Sequence, residues 1–434
     1  MGNKRHGVIL SIVIIITWAF ALNTGRRLAY QLAYTVTALG FASFGLAWSG
    51  VRGLSVTRAT PSRRVRVGQV VEEQVSVTNR WWLPKLWVEV RDFSTLPGHH
   101  VGHVVPALRP KRTYRWFVRT VALERGTFQL GPMVLRSSDP FGLFSFTRAL
   151  SETQTVIVYP YIAPLSYFPL PHGRLSGGER IRERTLHLTT NVAGVREYRP
   201  GDALNRIHWR TTARVGRLMS KEFERDPLAD VWIVLDMHRD VYVGQRHFDL
   251  GLPLSIFSPR REGPLLPPHG GEYAIALAAS VAAYVLRQKR SLGFLTLADK
   301  RYVIPPDRGE RHLDKLLEVL AFVEPRGTVP LERVLLSEMS MLGRHTTVVV
   351  ITGNWTELWV APLAEMKRRG IVPIAVLVDG STFGPLPPPT AALSLLARRN
   401  IPAFVVHNGE SFHHVFRILR PGLHPSGHGH PASR

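Results

Sequence analysis

The 434-residue sequence contains no cysteine. Disulfides, thiolate metal sites and a cysteine nucleophile are therefore excluded, although this absence does not settle the compartment. Acidic residues are scarce, since 32 of them stand against 55 lysines and arginines, which gives a formal net charge of +23. Such an excess suggests a polyanionic partner, either nucleic acid or an anionic membrane surface. Because only 8 of the cations are lysines, a bias in codon composition explains the arginine excess equally well.

The motifs of several common enzyme classes are missing as well. The sequence has no G-x-x-x-x-G-K-[ST] phosphate loop, no G-x-G-x-x-G after a strand, no H-E-x-x-H and no G-x-S-x-G. Its 18 histidines pair with acids at no recognisable ligand spacing. These absences argue against a nucleotide enzyme, a hydrolase or a zinc enzyme.

Two uncharged apolar runs are present at the N-terminus, at 8–22 and 28–48, with the polar turn "NTGRR" between them. A membrane-spanning helix needs roughly 20 mostly apolar residues. A signal peptide is the alternative, with Ala19-Phe20-Ala21 as its cleavage site. The second uncharged run favours a transmembrane helical hairpin over 1–52 instead.

The basic residues around this hairpin predict its orientation. Two lie in the turn, Arg26 and Arg27, whereas seven lie outside it: Lys4, Arg5, Arg52, Arg58, Arg63, Arg64 and Arg66. We therefore expect a two-helix anchor in the cell membrane, with both ends and the whole C-terminal body in the cytoplasm.

Two different hydrophobic periods follow the hairpin, so the predicted fold is multi-domain. Over 53–165 apolar residues alternate with polar ones, as in Leu86, Val88 and Val90, which predicts a β-sandwich-like domain. From 230 to 420 apolar strands alternate with helical segments, which predicts a doubly wound α/β domain with a parallel sheet. Asp236 ends its first strand, where ligands of such sheets bind.

The remaining segments are less regular. We predict that 166–229 is a linker that carries a signature motif into the α/β domain. The proline-rich loop at 241–270 is long enough to suggest a functional or mobile segment. The Pro-, Gly- and His-rich tail at 421–434 is predicted to be disordered.

The signature motif, "VREYRPGDALNRIHWRTTARVG", is dense in arginine. Asp202 follows a Pro-Gly turn and is a candidate N-cap for a short helix. Along that helix Arg206, Arg210 and Arg214 recur every four residues and so share one face. The next residues, from Gly216, predict a strand that leads to 231–235.

Three interpretations of this motif compete. On a nucleic-acid surface the arginines would contact phosphates while Trp209 or Tyr198 stacks on bases, but interleaved acids argue against it and no nucleic acid is expected. In a structural role Asp202 caps the helix and Trp209 packs at the junction of two domains. In a docking role arginine and tryptophan anchor a partner protein. The docking candidates are Arg196, Tyr198, Asp202, Arg206, Trp209, Arg210 and Arg214.

The motif at 194–224 resembles the signature of domain-of-unknown-function family fifty-eight, and the similarity extends to 124–144, 156–160 and 272–297. The resemblance implies a bacterial or archaeal membrane protein with a β-rich region followed by a von Willebrand factor A-like domain. It also implies partnership with AAA+ ATPases of the MoxR type. The expected role is a membrane-tethered, non-enzymatic adaptor or scaffold in protein maturation or stress response.

The resemblance also bears on metal binding. Von Willebrand A-like domains often hold Mg²⁺ through Asp-x-Ser-x-Ser after the first strand, with a Thr and an acid from later loops. Here that stretch is Asp236-Met237-His238-Arg239-Asp240, and the later positions are Thr352 and Asn354. We predict a degenerate site with weak or no Mg²⁺ binding, and no other cofactor. The alternative function is a membrane-attached hydrolase that uses Asp202, Asp236 and a histidine.

Overall fold

The computed structural model of the chain describes residues 2–171, 192–198, 207–223, 230–248 and 265–417. The chain divides into two compact units, each drawn from separate segments. Unit 1 contains Met1–Ile162, Gln245–Glu272 and Leu317–Val323, and unit 2 contains Ala163–Gly244, Tyr273–Leu316 and Glu324–Arg434. The predicted disordered tail and part of the proline-rich loop lie outside the described residues.

Unit 1 begins with two helices, α1 (Gly2–Thr24) and α2 (Arg27–Gly50). The indole N–H of Trp18 donates to the hydroxyl oxygen of Thr37 across 3.0 Å and joins them. Both are long and apolar enough to cross a membrane, since His6–Thr24 has a mean hydropathy of 2.1 and Arg27–Gly50 of 1.2. The prediction of two N-terminal apolar helices that could span a membrane is confirmed.

Ten strands follow the helices in unit 1. They are β1 (Leu54–Ala59), β2 (Arg64–Arg66), β3 (Val70–Asn79), β4 (Lys85–Asp92), β5 (His103–Leu108), β6 (Thr113–Val121), β7 (Gly126–Leu130), β8 (Met133–Ser138), β9 (Ser145–Leu150) and β10 (Gln154–Tyr159). They form three sheets, with strand orders β1-β3-β6, β2-β10-β7 and β5-β4-β8-β9. The prediction of a β-rich region is confirmed as several sheets.

Alternation along the strands builds the core of this region. Val75 and Val77 of β3 pack in one buried cluster with Val88 and Val90 of β4, so two of the sheets share a core. Successive side chains of a strand point to opposite faces, and every second residue therefore reaches that core.

Leu86 departs from the predicted alternation of β4. It is 43% exposed, whereas Val88 and Val90 are fully buried and Lys85 takes the preceding buried position. The cause lies at Trp87, whose φ of 53° is rare for a bulky residue and interrupts the regular alternation of faces. The prediction that Leu86 shares the buried face with Val88 and Val90 is therefore wrong.

The rest of the chain contributes eight strands and seven helices among the described residues. The strands are β11 (Val192–Glu197), β12 (Met219–Phe223), β13 (Val231–Asp236), β14 (Leu292–Leu297), β15 (Arg301–Asp307), β16 (Thr347–Thr352), β17 (Val372–Val378) and β18 (Ala403–Val406). The helices are α3 (Trp209–Val215), α4 (Gly270–Arg287), α5 (Glu310–Phe322), α6 (Leu331–Glu338), α7 (Val360–Arg368), α8 (Thr390–Arg398) and α9 (Phe412–Arg417).

Six of these strands form one sheet in the order β15-β14-β13-β16-β17-β18. Five are parallel, as predicted, and β15 pairs antiparallel with β14 at the edge. The pattern of the sequence does not predict β15, because the strand contains Pro305 and Pro306, which cannot donate to a ladder. An edge strand tolerates them, since one of its sides needs no donors.

Strands β13 and β16 are buried at every residue. Such continuous burial is typical of a parallel strand covered on both faces. On one face Trp232 and Val234 pack with Leu335 of α6, Leu363 of α7 and Leu396 of α8. The two strands pair in parallel, with Leu235 opposite Ile351, and this pairing places their carboxyl ends side by side.

Candidate functional site

Helix α3 lies at the centre of the candidate docking segment and is fixed at both ends. His208 precedes it, and its Nδ1 accepts the backbone N–H of Thr211 at 3.2 Å. At the other end Gly216 has a φ of 72°, and its N–H donates to the carbonyl of Thr212 at 2.9 Å. A glycine in this conformation is a common helix end, because it has no side chain to clash.

Two further hydrogen bonds attach α3 to β12. The backbone N–H of His208 donates to the carbonyl of Met219 at 2.8 Å, and the N–H of Met219 donates to the Thr212 hydroxyl at 3.0 Å. Ile207, only 3% exposed, forms an isolated bridge with Ser220. Because β12 also pairs antiparallel with β11, the helix is held against a two-stranded ribbon.

The position of Ile207 corrects the predicted helix. We expected one helix from Asp202 through Ile207 to Arg214, but the extended bridge at Ile207 precedes the helix, which begins at Trp209. Asp202 lies outside the described residues, so its capping role stays a prediction. Arg206, one of the three ridge arginines, lies outside them as well.

The structure places Trp209 in solvent. Its side chain is 67% exposed, and Arg210 and Arg214 on the same helix are exposed too. The helix is therefore attached through Ile207, His208 and Thr212 rather than through Trp209, and the packing of Trp209 at a domain junction stays a prediction. Trp209, Arg210 and Arg214 form what we call the α3 surface.

The remaining docking candidates lie on or beside β11. Arg196 is placed by its backbone, which pairs with Ser220 in the ribbon. Tyr198 is half-buried, and its backbone N–H donates to the carbonyl of Leu218 at 2.8 Å. Both residues therefore lie on or directly beside the two-stranded ribbon that holds α3. The pairing of β11 with β12 brings the two ends of the 194–224 motif together.

Asp236 occupies the predicted place at the carboxyl end of β13, and each oxygen of its carboxylate accepts one hydrogen bond. The hydroxyl of Thr352 donates to Oδ2 at 2.7 Å, and the backbone N–H of His238 donates to Oδ1 at 3.0 Å. The backbone N–H of Asn354 in turn donates to the Thr352 hydroxyl oxygen at 2.9 Å. Asp236 is only 5% exposed. It therefore links the loops that follow β13 and β16.

Burial raises the pKa of Asp236, while the hydrogen bonds from Thr352 and His238 act in the opposite direction. A carboxylate removed from water needs such donors, because an unpaired buried charge is strongly unfavourable. With both oxygens engaged, the group is suited to holding two loops together rather than to attacking a substrate.

The residues at this position do not fit a magnesium site. Hydroxyl and carboxylate oxygens suit this hard ion, but an imidazole, that of His238, stands where the first serine would. Asp240 stands where the second serine would. Asp240 is exposed and lies 3.6 Å from the guanidinium of Arg239. The side-chain oxygen of Asn354 accepts the backbone N–H of Thr356 at 2.9 Å. Within the described ranges no three His, Asp or Glu side chains converge on a metal position. Weak or absent Mg²⁺ binding stays a prediction.

Two residues of this site were missed by the sequence analysis. The Tyr242 hydroxyl donates to the backbone carbonyl of Asp236 at 2.8 Å. A Cβ at Gly353 would lie 2.6 Å from the carbonyl oxygen of Val241, so only glycine fits there. A glycine directly after a buried strand is visible in the sequence and could have indicated this close approach.

Comparison with known proteins agrees with the resemblance in part. Residues 194–248 and 268–382 match the sequence model of the family described as "Protein of unknown function DUF58". This match covers the signature motif, α3 and most of the six-stranded sheet. The similarity that we noted at 124–144 and 156–160 lies outside the matched residues.

A relative from Bacillus subtilis (strain 168), the "Uncharacterized protein YeaD", is 22% identical over 360 residues, which cover 81% of this chain and 83% of the relative. Among solved structures, the CARDB domain of the PF1109 protein from Pyrococcus furiosus is 18% identical. It matches 24% of this chain and 86% of that domain with a TM-score of 0.19, too low to carry an argument.

Proposed function

We propose that the protein is a membrane-tethered, non-enzymatic adaptor that docks an AAA+ ATPase of the MoxR type. Its six-stranded sheet would be a von Willebrand factor A-like domain with a degenerate metal site. The resemblance supports this partner and this domain type. Protein maturation or stress response is the process that the resemblance implies.

The α3 surface is the observation that carries the docking role. Tryptophan and arginine are enriched among residues that dominate binding energy at protein interfaces. Here Trp209 is 67% exposed beside two exposed arginines, on a helix that hydrogen bonds hold in place. A fixed helix loses little conformational entropy on binding, which favours affinity. Because Arg210 and Arg214 are positively charged, we expect the partner to present an acidic surface to them.

Asp236 supplies the argument against the hydrolase alternative. Its carboxylate is buried, and each oxygen already accepts a hydrogen bond from within the chain. A nucleophile or general base must instead reach the substrate. No observation on the described residues favours the nucleic-acid alternative over docking.

Capture of the ATPase tests the proposal. The full-length protein in lipid nanodiscs is titrated with a purified MoxR-type ATPase from the same organism, with and without ATP. We expect ATP-dependent binding. Arg210→Glu combined with Arg214→Glu should weaken it at least about 10-fold, which corresponds to about 1.4 kcal/mol. Trp209→Ala should weaken it similarly.

A control with the same change in charge separates docking from general electrostatics. Arg311 and Arg333 are also exposed and lie on α5 and α6. Arg311→Glu combined with Arg333→Glu should leave the affinity unchanged. Equal weakening by both pairs would remove the docking role from the α3 surface, and absence of any capture would refute the choice of partner.

We further propose that α1 and α2 span the cell membrane with the rest of the chain in the cytoplasm. The distribution of flanking lysine and arginine supports this orientation. The native chain has no cysteine, so a single Val70→Cys variant reports on one position. An impermeant maleimide should label it only after cells are lysed, and labelling of intact cells would reverse the orientation.

A further inference from the structure

Six aromatic side chains lie on α2 or on two loops that contact the hairpin where α1 begins and α2 ends. They belong to α2, to the turn between β3 and β4, and to the loop between β8 and β9. We call them the aromatic collar: Phe44, Trp48, Trp81, Trp82, Phe141 and Phe144. All six lie within unit 1.

Ring contacts join the collar to α2. Phe44 meets Phe144 edge to face, with 5.5 Å between ring centroids. Trp48 meets Trp81 at 6.2 Å, and Trp81 meets Trp82 at 6.3 Å. Both loops of the β-rich region are therefore attached to the side of the helix rather than to its end alone.

The loop between β8 and β9 reaches along both helices. Phe44 lies six residues before the last residue of α2, which corresponds to about 9 Å at 1.5 Å per residue. A Cβ at Gly7, near the start of the first apolar span, would lie 3.8 Å from the Phe144 ring. If the helices span a bilayer, this loop therefore enters the same depth as their terminal turns.

In the loop between β8 and β9, three backbone N–H groups have hydrogen-bond partners inside the protein. Asp139 is 4% exposed, and its carboxylate accepts the backbone N–H of Phe141 at 3.0 Å and of Phe144 at 2.6 Å. The carbonyl of Asp139 accepts the N–H of Gly142 at 3.1 Å. Backbone groups at membrane depth must find partners inside the protein, and Asp139 provides them for the N–H groups of Phe141, Gly142 and Phe144.

Two collar residues expose most of their apolar surface. Trp82 is 70% exposed and Phe141 is 62% exposed. Such exposure is unfavourable in water, whereas tryptophan is enriched at the boundary between headgroups and acyl chains. Two basic side chains contact rings of the collar. The Arg52 guanidinium lies 3.9 Å from the centroid of the Trp48 ring, and the Lys85 ammonium lies 4.1 Å from the centroid of the Trp81 ring.

We propose that the aromatic collar lies in the boundary between headgroups and acyl chains, so that the β-rich region is seated on the bilayer through Trp82 and Phe141. This inference rests on the proposal that α1 and α2 span the membrane. The occupant is lipid rather than a protein, because the collar is continuous with the helices that the lipid would surround.

The absence of cysteine makes a direct test possible. Single variants Trp82→Cys and Phe141→Cys of the full-length protein carry a nitroxide label in vesicles of phosphatidylcholine and phosphatidylglycerol. Paramagnetic resonance then compares collisions of the label with oxygen, which concentrates in the acyl region, and with a water-soluble nickel chelate. Ile16→Cys, on an exposed face in the middle of α1, reports on the hairpin itself.

Val70 provides the matched control. It is an exposed apolar residue of the same region, 45% exposed, at the opposite end of β3 from Asn79 and the tryptophans. Nine steps of about 3.4 Å place it about 30 Å away along the strand. We expect the oxygen-to-nickel ratio at positions 82 and 141 to exceed that at position 70 several-fold.

Each other outcome overturns the inference. If position 16 reports lipid while 82 and 141 match position 70, the hairpin stands and the collar proposal fails. If 82 and 141 are inaccessible to both reagents, a protein contact covers the collar. If position 16 itself reports water, the membrane-spanning proposal fails and the collar proposal fails with it.

Discussion

The hydroxyl of Thr352 donates to the carboxylate of Asp236 across 2.7 Å, although 116 residues separate the two in sequence. The bond exists because β13 and β16 are neighbours in the parallel sheet, so their carboxyl ends coincide. Asp236 stands where parallel sheets commonly bind ligands, but this hydrogen bond makes it a link between the loops that follow β13 and β16.

Removing that hydroxyl should destabilise the fold. Thr352→Val leaves a buried carboxylate oxygen without its donor, which costs about 1–3 kcal/mol. Urea unfolding of the full-length protein in detergent measures the loss. Thr352→Ser keeps the hydroxyl and should retain most of the stability. A Thr352→Val variant as stable as the native chain would show that this hydrogen bond does not stabilise the fold.

Magnesium should bind at Asp236 weakly or not at all. Both carboxylate oxygens are engaged and Asn354 uses its side-chain oxygen on Thr356. Isothermal titration of the full-length protein with Mg²⁺ and then Mn²⁺ should detect no micromolar site. A micromolar site that Asp236→Ala abolishes would contradict the prediction.

His269 should make the fold sensitive to acid. Burial lowers the pKa of His269 from 6.5 to about 4, with the nearby charges of Glu272, Arg246 and Arg125 as smaller influences. Between these two values the unfolded chain binds a proton that the folded chain does not. This contribution to the free energy of unfolding therefore falls as the pH decreases from 6.5 to about 4.

Urea midpoints at pH 7 and pH 5 measure the effect. His269→Asn keeps an acceptor for the backbone N–H of Gly271, which His269 Nδ1 binds at 3.1 Å. The variant should lose less stability than the native chain over this interval. An equal loss in both proteins would mean that His269 does not contribute.

Arg125 should stabilise unit 1 strongly. Its guanidinium pairs with Glu272 and donates to the carbonyls of Leu320 at 3.0 Å and Val323 at 2.6 Å. The side chain is 6% exposed. Arg125→Ala leaves the largely buried carboxylate of Glu272 without its partner. We therefore expect the free energy of unfolding to fall by about 3–5 kcal/mol.

A second arginine of the same region provides the comparison. Arg119 pairs with Glu72 at 2.9 Å, but its side chain is 75% exposed. Since exposed ion pairs contribute little, Arg119→Ala should cost about 0–1 kcal/mol in the same unfolding experiment. Similar losses at both positions would show that burial does not decide the strength of these pairs.

The sequence determined the elements whose signal is local. Hydrophobic runs without charge predicted α1 and α2, and continuous apolar stretches predicted β13, β16 and their neighbours, because burial on both faces leaves no polar residue. It also identified Asp236 as the end of the first strand. It did not predict the edge strand β15. Two prolines argue against a strand unless the strand is known to lie at the edge of a sheet, and the sequence pattern does not show that position.

Only the tertiary structure decided what those elements do. Pairing of strands that are distant in sequence places the Thr352 hydroxyl within hydrogen-bond distance of the Asp236 carboxylate. The spacing of these residues along the chain does not specify this contact. The bridge at Ile207 set the start of α3 and left Trp209 in solvent. Contacts of this kind depend on neighbours far apart in sequence, and periodicity reports only on neighbours a few residues apart.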